Sequence, residues 1–186
     1  MIVRYFISLF TILLLFANTV SAATITNEDG KRIGIVIIGD AEFKTQSYFD
    51  NAKKLVKIKN YCKDDSYNTF HETESSLFDF LTQNNFDNII CLVIRRPTLE
   101  SEGWKLKLTV AQMKIETNIY NKNELIKTIN TEKKGVSVLT LEEAYTMSTE
   151  YNLNEYEIDE LTRKAAKKDA FSSCIRQIRK EIKGLF

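Results

Sequence analysis

The sequence contains a single histidine, His71, so metal sites built from several histidines are excluded. Catalysis by a Ser–His or Cys–His pair would have to use this one side chain. His71 lies in a polar context before Glu72, where a solvated histidine is the ordinary interpretation. Phosphate-binding loops are also missing, because Gly34 and Gly39 form neither the GxGxxG nor the GxxxxGK pattern. We therefore expect no cofactor and no metal.

An excess of charge is missing as well. The chain has 26 basic and 25 acidic residues. Proteins dedicated to nucleic acid take much of their affinity from an excess of positive charge, and this chain has none. We expect no nucleic-acid partner.

Cysteines are few and odd in number: Cys62, Cys91 and Cys174. At most one disulfide can form within the chain, leaving one thiol over. Cys91 lies in an apolar run and Cys174 in a predicted helix near Phe171, so both are interpreted as buried thiols. Cys62 precedes two aspartates and is the most exposed of the three by its context.

The first residues have the pattern of a secretory signal peptide. One base, Arg4, precedes an apolar stretch over residues 5–16, and small residues follow up to Ala22. An uncleaved membrane anchor is the alternative, but a bilayer core needs about 20 apolar residues. We predict cleavage near Ala22, a flexible lead-in over residues 23–32 and one domain over residues 33–186. The mature protein would then be secreted or periplasmic.

Strand signals alternate with helix signals along this domain. A β-branched run over residues 33–38 and an apolar run over 88–94 indicate buried strands, because both are apolar on consecutive residues. Apolar residues at helical spacing indicate helices in between. Before the central strand over 88–94, the predicted segments are a helix over 43–56, a strand over 58–62 and a helix over 74–83. A loop over 98–103 is predicted after the central strand.

Residues 104–120 alternate like a long antiparallel strand whose apolar face changes sides. We expect a β-bulge near Ala111 and Gln112, because one extra residue moves the following side chains to the other face. A turn over 121–123 then leads into a strand over 125–131. This hairpin would form the outer part of the sheet.

Two helices end the chain. Thr140 and Glu143 have the spacing of a capping box and open a helix that reaches about residue 151. A long helix follows over residues 155–183. Its apolar stripe passes through Ala165, Ala166 and Ala170, and these small residues would permit close approach to the sheet.

The order of these segments predicts an α/β fold. Two strands separated by helices pair in parallel through a right-handed crossover, and the hairpin adds antiparallel strands. We expect a single mixed sheet of about four to five strands with a long hairpin, helices packed against it and a long C-terminal helix.

This arrangement resembles the exported α/β domains of the CsgG, LpoB and TolB amino-terminal type. The resemblance covers most of the domain at the level of topology and is carried by four segments: 33–40, 86–94, 105–131 and 165–182. Those domains are non-enzymatic parts of envelope machinery. The resemblance implies a similar role here and supplies no catalytic residue.

Three residues are candidates for ligand binding. Asp40 follows the first strand, at the end where open α/β sheets place ligands, although an aspartate there also suits a helix cap. Arg95 and Arg96 follow the central strand and could hold an anion, or they could simply keep a strand end soluble.

The leading hypothesis is an exported, non-enzymatic domain that binds an envelope or secreted protein. We expect contacts at the hairpin around Tyr120 and Leu125 and at the loop from Arg95 to Trp104, since exposed strand edges recruit partners. The alternative is a small exported hydrolase or ligand-binding enzyme that uses Asp40 with acids from residues 64–74. Membrane-surface contact by the basic C-terminal helix is a third hypothesis.

Overall fold

A computed structural model of the chain describes residues 20–26, 31–56, 68–70, 86–102, 106–121 and 124–185. Cys62, His71 and Trp104 lie outside these residues, as do the predicted strand over 58–62 and the predicted helix over 74–83. The strands are β1 (Val20–Thr26), β2 (Arg32–Ile38), β3 (Asn68–Phe70), β4 (Asn88–Ile94), β5 (Thr98–Glu102), β6 (Leu106–Asn121) and β7 (Glu124–Thr140). The helices are α1 (Gln46–Ala52), α2 (Leu141–Glu150) and α3 (Glu155–Glu181).

The fold is the predicted mixed α/β arrangement with a long C-terminal helix. The seven described strands form one sheet in the order β3-β1-β2-β4-β6-β5, and β7 pairs with the free edge of β6. β2 and β4 are parallel, whereas every other pair is antiparallel. Strands β1, β3 and β5 were not predicted from the sequence. β5 occupies residues that were expected to form a loop, because its polar side chains give no apolar alternation.

The core lies between the sheet and α3. Ile35 on β2 and Ile90 on β4 are paired across the parallel strands and are fully buried. Phe43 and Tyr48 reach the same core from the segment after β2, and Phe171 reaches it from α3. The ring of Tyr48 lies edge-on to both phenylalanines, with centroids 5.3 Å and 4.9 Å away.

The segment predicted as one helix over 43–56 is divided. A 3-10 turn over Ala41–Lys44 precedes α1, and a second turn over Lys53–Leu55 follows it. Phe43, Phe49 and Ala52 are nonetheless fully buried, so the apolar periodicity identified the inward side chains correctly.

The predicted bulge near Ala111 is wrong. β6 and β7 stay in register from Leu106 to Ile119, and their register shifts only between Ile119 and Tyr120. The side chains of β6 alternate regularly between the two faces of the sheet. What changes along the strand is which face carries apolar residues and which carries polar ones. Near the start of β6, polar groups face α3: the hydroxyl of Thr109 donates a hydrogen bond to that of Thr162 at 3.5 Å.

β7 continues to Thr140, nine residues beyond its predicted end, and α3 crosses it there. The crossing is close at Gly135, where a Cβ atom would lie 2.0 Å from the backbone nitrogen of Ala170 and 2.3 Å from the carbonyl oxygen of Ala166. Ala166 and Ala170 are fully buried at this contact, while Ala165 is exposed. The predicted close approach is confirmed for two of the three alanines.

Both C-terminal helices begin with a capping box. Thr140 and Glu143 exchange hydrogen bonds at 2.8 Å and 3.2 Å, which confirms the box predicted for α2. Asn154 and Glu157 form a second box at the start of α3, with distances of 2.8 Å and 3.0 Å. Side-chain oxygens thus satisfy backbone N–H groups that have no partner within the helix.

β1 runs through the predicted cleavage point. It pairs with β2 from Val20 opposite Ile38 to Thr26 opposite Arg32. Residues 23–26, which were expected in a flexible lead-in, therefore belong to a strand. Cleavage near Ala22 stays a prediction. Within the described ranges, no helix is both long enough and apolar enough to cross a membrane.

Candidate binding surfaces

Asp40 and Arg95 lie at the same edge of the sheet. Ile38 on β2 is paired with Val93 on the parallel strand β4, and each candidate lies two residues beyond this pair. The backbone carbonyl of Asp40 accepts a hydrogen bond from the N–H of Phe43 at 3.0 Å. Its carboxylate makes no capping hydrogen bond, although the residue occupies the cap position of the 3-10 turn.

Arg95 is tied to β6. Its backbone N–H donates to the carbonyl of Lys114 at 3.1 Å, and its guanidinium lies 4.0 Å from a carboxylate oxygen of Glu116. The side chain is 66% exposed, so this ion pair contributes little to stability. Arg96 is exposed beside it. The structure thus places the two arginines at the surface, and it directs Arg95 towards Glu116.

A cavity of about 200 Å³ opens next to Arg95. Its floor is formed by β6 and β7, and Asp40 is not among the lining residues, which are Arg95, Lys114, Ile115, Glu116, Asn130, Thr131 and Glu132. Lys114 and Glu132 form an ion pair at 3.3 Å. The hydrogen bond from Gln112, followed by Lys114, holds the pKa of Glu132 below its usual range. The charges of this cavity largely neutralise one another.

The two described cysteines are buried free thiols, as predicted. Burial raises the pKa of Cys91 to about 12, with a smaller contribution from the charge of Glu116. Burial likewise raises the pKa of Cys174 to about 11. The thiolate is the nucleophilic form, so neither residue has the environment of a reactive cysteine at neutral pH. In the described ranges, moreover, no three His, Cys, Asp or Glu side chains converge as a metal site.

Tyr120, near the hairpin end, is only 9% exposed. β4 pairs with β6 as far as Asn121 and places Ile89 opposite Tyr120. Burial, followed by the nearby titratable groups of Cys91 and Glu116, raises the pKa of its phenol. Leu125 on the facing strand is half-buried. In this part of the hairpin β6 is interior to the sheet, whereas β7 pairs only with β6 among the described strands and lies at the edge. A partner contact at Tyr120 and Leu125 stays a prediction.

The most exposed large apolar side chains lie elsewhere, in α2 and around its junction with α3. We call these four residues, which are close in sequence, the α2 surface: Leu141 (61% exposed), Tyr145 (72%), Tyr151 (68%) and Tyr156 (76%). No residue of α2 is buried. A sequence signal for this surface exists, since residues 141–160 contain acidic but no basic side chains. Leu141 and Tyr145 have helical spacing and so share one face of α2, but spacing does not show whether that face is covered.

A second apolar strip lies on the sheet face that points away from α3. Val110 and Val136 are cross-strand neighbours, and so are Leu108 and Val138. The two β7 valines are about half exposed, at 47% and 51%. This strip explains why the apolar face of β6 changes sides. Near the start of β6, Leu108 and Val110 point away from α3, whereas the later apolar residues point towards it.

Comparisons with known proteins give remote structural matches only. No protein-family model matches the sequence, and no curated protein matches it. A candidate lipoprotein from Caulobacter crescentus CB15 matches with a TM-score of 0.43 and 8% identity, covering 81% of this chain and 86% of that one. A minor lipoprotein from Acinetobacter baumannii matches with a TM-score of 0.32 and 16% identity, covering 58% and 81%. The hypothetical protein CT253 from Chlamydia trachomatis matches with a TM-score of 0.35 and 8% identity, covering 75% and 83%.

All three TM-scores are below 0.5 and all three identities are below 25%. We therefore base no functional conclusion on these matches. The resemblance to the CsgG, LpoB and TolB amino-terminal type stays a prediction from the sequence.

Proposed function

We propose that this protein is exported and acts as a non-enzymatic domain that binds another protein of the cell envelope. The observation that carries this proposal is the exposure of three tyrosines and a leucine on the α2 surface. Tyrosine is enriched at protein interfaces because its ring buries a large area and its hydroxyl stays hydrogen-bonded. The signal-peptide pattern of residues 1–22 supports export.

The chemistry of the described titratable groups supports a binding role. Cys91 and Cys174 are held as neutral thiols, and carboxylates such as Glu132 and Asp159 are engaged by neighbouring side chains. A general base or nucleophile needs a pKa tuned towards neutrality beside a substrate-sized cleft. The cavity beside Arg95 holds paired surface charges instead.

Photo-crosslinking in cells that express the protein tests this proposal. A photoreactive phenylalanine would replace Tyr145 in one variant and Ile126, which is exposed on β7, in another. We expect a defined crosslinked protein of the envelope fraction. If neither position captures a protein and the purified chain remains a monomer, the binding function is wrong.

A small-ligand site beside Arg95 is the second candidate function. The cavity of about 200 Å³ favours it, since Arg95 and Lys114 line one space and could hold a small anion. Phosphate or a dicarboxylate should then raise the melting temperature of the wild-type protein but not of Arg95→Gln. The enzymatic alternative is separate, because it depends on Asp40, which does not line this cavity. Normal turnover in Asp40→Asn would remove it.

A further inference from the structure

Helix α2 has no buried side chain of its own. It has ten residues, and isolated helices shorter than about 12–15 residues are marginal in water. Its capping box contributes about 1 kcal/mol. The helix contacts β7 and α3, and its Ala144, Thr146 and Met147 are half-buried. The carbonyl of Met147 also accepts a hydrogen bond from the N–H of Leu153 at 3.2 Å. The helix is thus held at its ends and by small contacts, while Leu141 and Tyr145 point into solvent.

The charge around these side chains has one sign. Residues 141–160 contain seven acidic residues and no basic one. Glu143 and Glu157 close the capping boxes, Asp159 pairs with Lys107 and Arg163, and Glu160 pairs with Lys164 at 2.6 Å.

Three carboxylates remain outside these interactions. Glu142, Glu150 and Glu155 form no ion pair with any other described residue. They flank the exposed leucine and tyrosines of the α2 surface along the chain. Exposed apolar side chains are thus followed or preceded in the chain by carboxylates that no described residue pairs with, although Lys164 lies near enough to Tyr156 to interact with it electrostatically.

We propose that the α2 surface docks a cationic segment of a partner protein, in which lysine or arginine side chains alternate with apolar ones. This inference rests on the proposed function and specifies its partner chemistry. The apolar side chains would cover Leu141 and the tyrosine rings, and the cations would neutralise the three free carboxylates. Arginine and lysine also interact favourably with tyrosine faces, by about 0.5–1 kcal/mol at exposed sites.

The same charge pattern disfavours the other large surfaces that an exported protein meets. An anionic lipid surface or a nucleic acid would bring negative charge against Glu142, Glu150 and Glu155, and like charges repel. Electrostatic complementarity between proteins chiefly speeds association and selects the partner, while the buried rings supply most of the affinity. Both contributions can be separated by mutation.

Two synthetic peptides provide the first test. One is an amphipathic helix of alternating lysine and leucine faces, and the other carries glutamate in place of every lysine. Fluorescence anisotropy with the full-length protein should show binding of the lysine peptide and at least tenfold weaker binding of the glutamate peptide. Equal binding of the two peptides would overturn the proposal.

Matched variants locate the binding. We expect Tyr145→Ala combined with Tyr156→Ala to weaken the lysine peptide at least tenfold, because both rings are more than 70% exposed and their loss leaves the core intact. Combined replacement of Glu142, Glu150 and Glu155 by glutamine should weaken it about threefold to tenfold and reduce its salt dependence. The controls are Ile126→Ala and a double change of Glu100 and Glu102 to glutamine, which should leave affinity unchanged. Wild-type affinity in the tyrosine variant would contradict the assignment.

Crosslinking separates the failure of this inference from failure of the proposed function. A protein captured at position 145 through a basic segment supports both. A protein captured only at position 126 upholds the binding function and overturns the α2 assignment. Capture of a second copy of this chain at position 145 also overturns it, because the proposed partner is a different protein.

Discussion

At Gly135 the sheet and helix α3 approach each other closely. Any side chain there would need the space taken by the backbone of Ala166 and Ala170, and helix backbone cannot move aside without shifting the whole of α3. Interiors respond poorly to added volume, with typical losses of 1–3 kcal/mol and occasionally more.

We therefore expect Gly135→Ala to lower the free energy of unfolding by about 3 kcal/mol, measured by urea denaturation. The control is Gly184→Ala. Gly184 has a positive φ of 94° but nothing within 4 Å of an added Cβ. Only the backbone strain of an alanine at this φ should therefore lower the free energy of unfolding, by about 1 kcal/mol. Equal losses at the two sites would show that the helix is not in contact with β7 at Gly135.

The buried cysteines and Tyr48 make the free energy of unfolding depend on pH in the alkaline range. Burial raises the pKa of Cys91 to about 12 and of Cys174 to about 11, and burial followed by the charge of Glu42 raises that of Tyr48 to about 12. The unfolded chain then loses these protons first, at about pH 8.5 for a thiol and pH 10 for a phenol. Their contribution is complete below those values and is lost as the pH rises towards 12.

We expect the urea midpoint to be level between pH 7 and 8 and to fall steadily above pH 9. In Cys91→Ala the urea midpoint should fall less steeply with pH, whatever its value at pH 7, because a thiol whose pKa is raised by folding has been removed. Parallel pH profiles for the two proteins would exclude Cys91 as a source of the dependence.

At the scale of the elements, α2 and α3 begin with the same kind of cap but depend on it differently. α3 buries residues along much of its length, among them Phe171, Cys174 and Ile178, so its stability comes from packing. α2 buries none. Removing a cap should therefore act locally in α2 and globally in α3.

We expect Thr140→Ala to increase amide hydrogen exchange within α2 and to change global stability by less than about 0.5 kcal/mol. Asn154→Ala should lower global stability by about 1 kcal/mol, because fraying at the start of α3 disturbs its contacts with the sheet. A large global loss from Thr140→Ala would mean that α2 belongs to the cooperative core.

At the scale of the whole molecule, strand β1 includes the predicted cleavage point at Ala22. Predicted cleavage near Ala22 would leave Ala23–Thr26 paired with β2 from Ile35 to Arg32. These residues cover the edge of a strand that is buried at six of its seven positions. The mature amino terminus should thus be part of the fold.

We expect a chain that begins at Ala23 to be more stable than one that begins at Lys31, by about 2 kcal/mol or more. The difference corresponds to the loss of several ladder hydrogen bonds, each worth about 0.5–1.5 kcal/mol net. Thermal unfolding of the two purified proteins measures it. Identical melting temperatures would show that β1 does not support the folded mature chain.

The sequence by itself determined the elements whose signals are local. Consecutive apolar residues identified β2 and β4, the spacing of Thr140 and Glu143 identified the start of α2, and helical periodicity identified α3. These patterns reflect backbone hydrogen bonding and side-chain direction within a few residues, so they can be recognised without knowledge of the partner elements. The mixed sheet followed from their order along the chain.

The tertiary structure decided which surfaces are covered. It buried Tyr120, left Tyr145 in solvent, and directed the apolar side chains Leu108 and Val110 at the start of β6 away from α3. It also paired Arg95 with Glu116 and kept Asp40 away from the neighbouring cavity. Each outcome depends on contacts between residues far apart in the chain, and local patterns do not specify which distant segment packs against a given side chain.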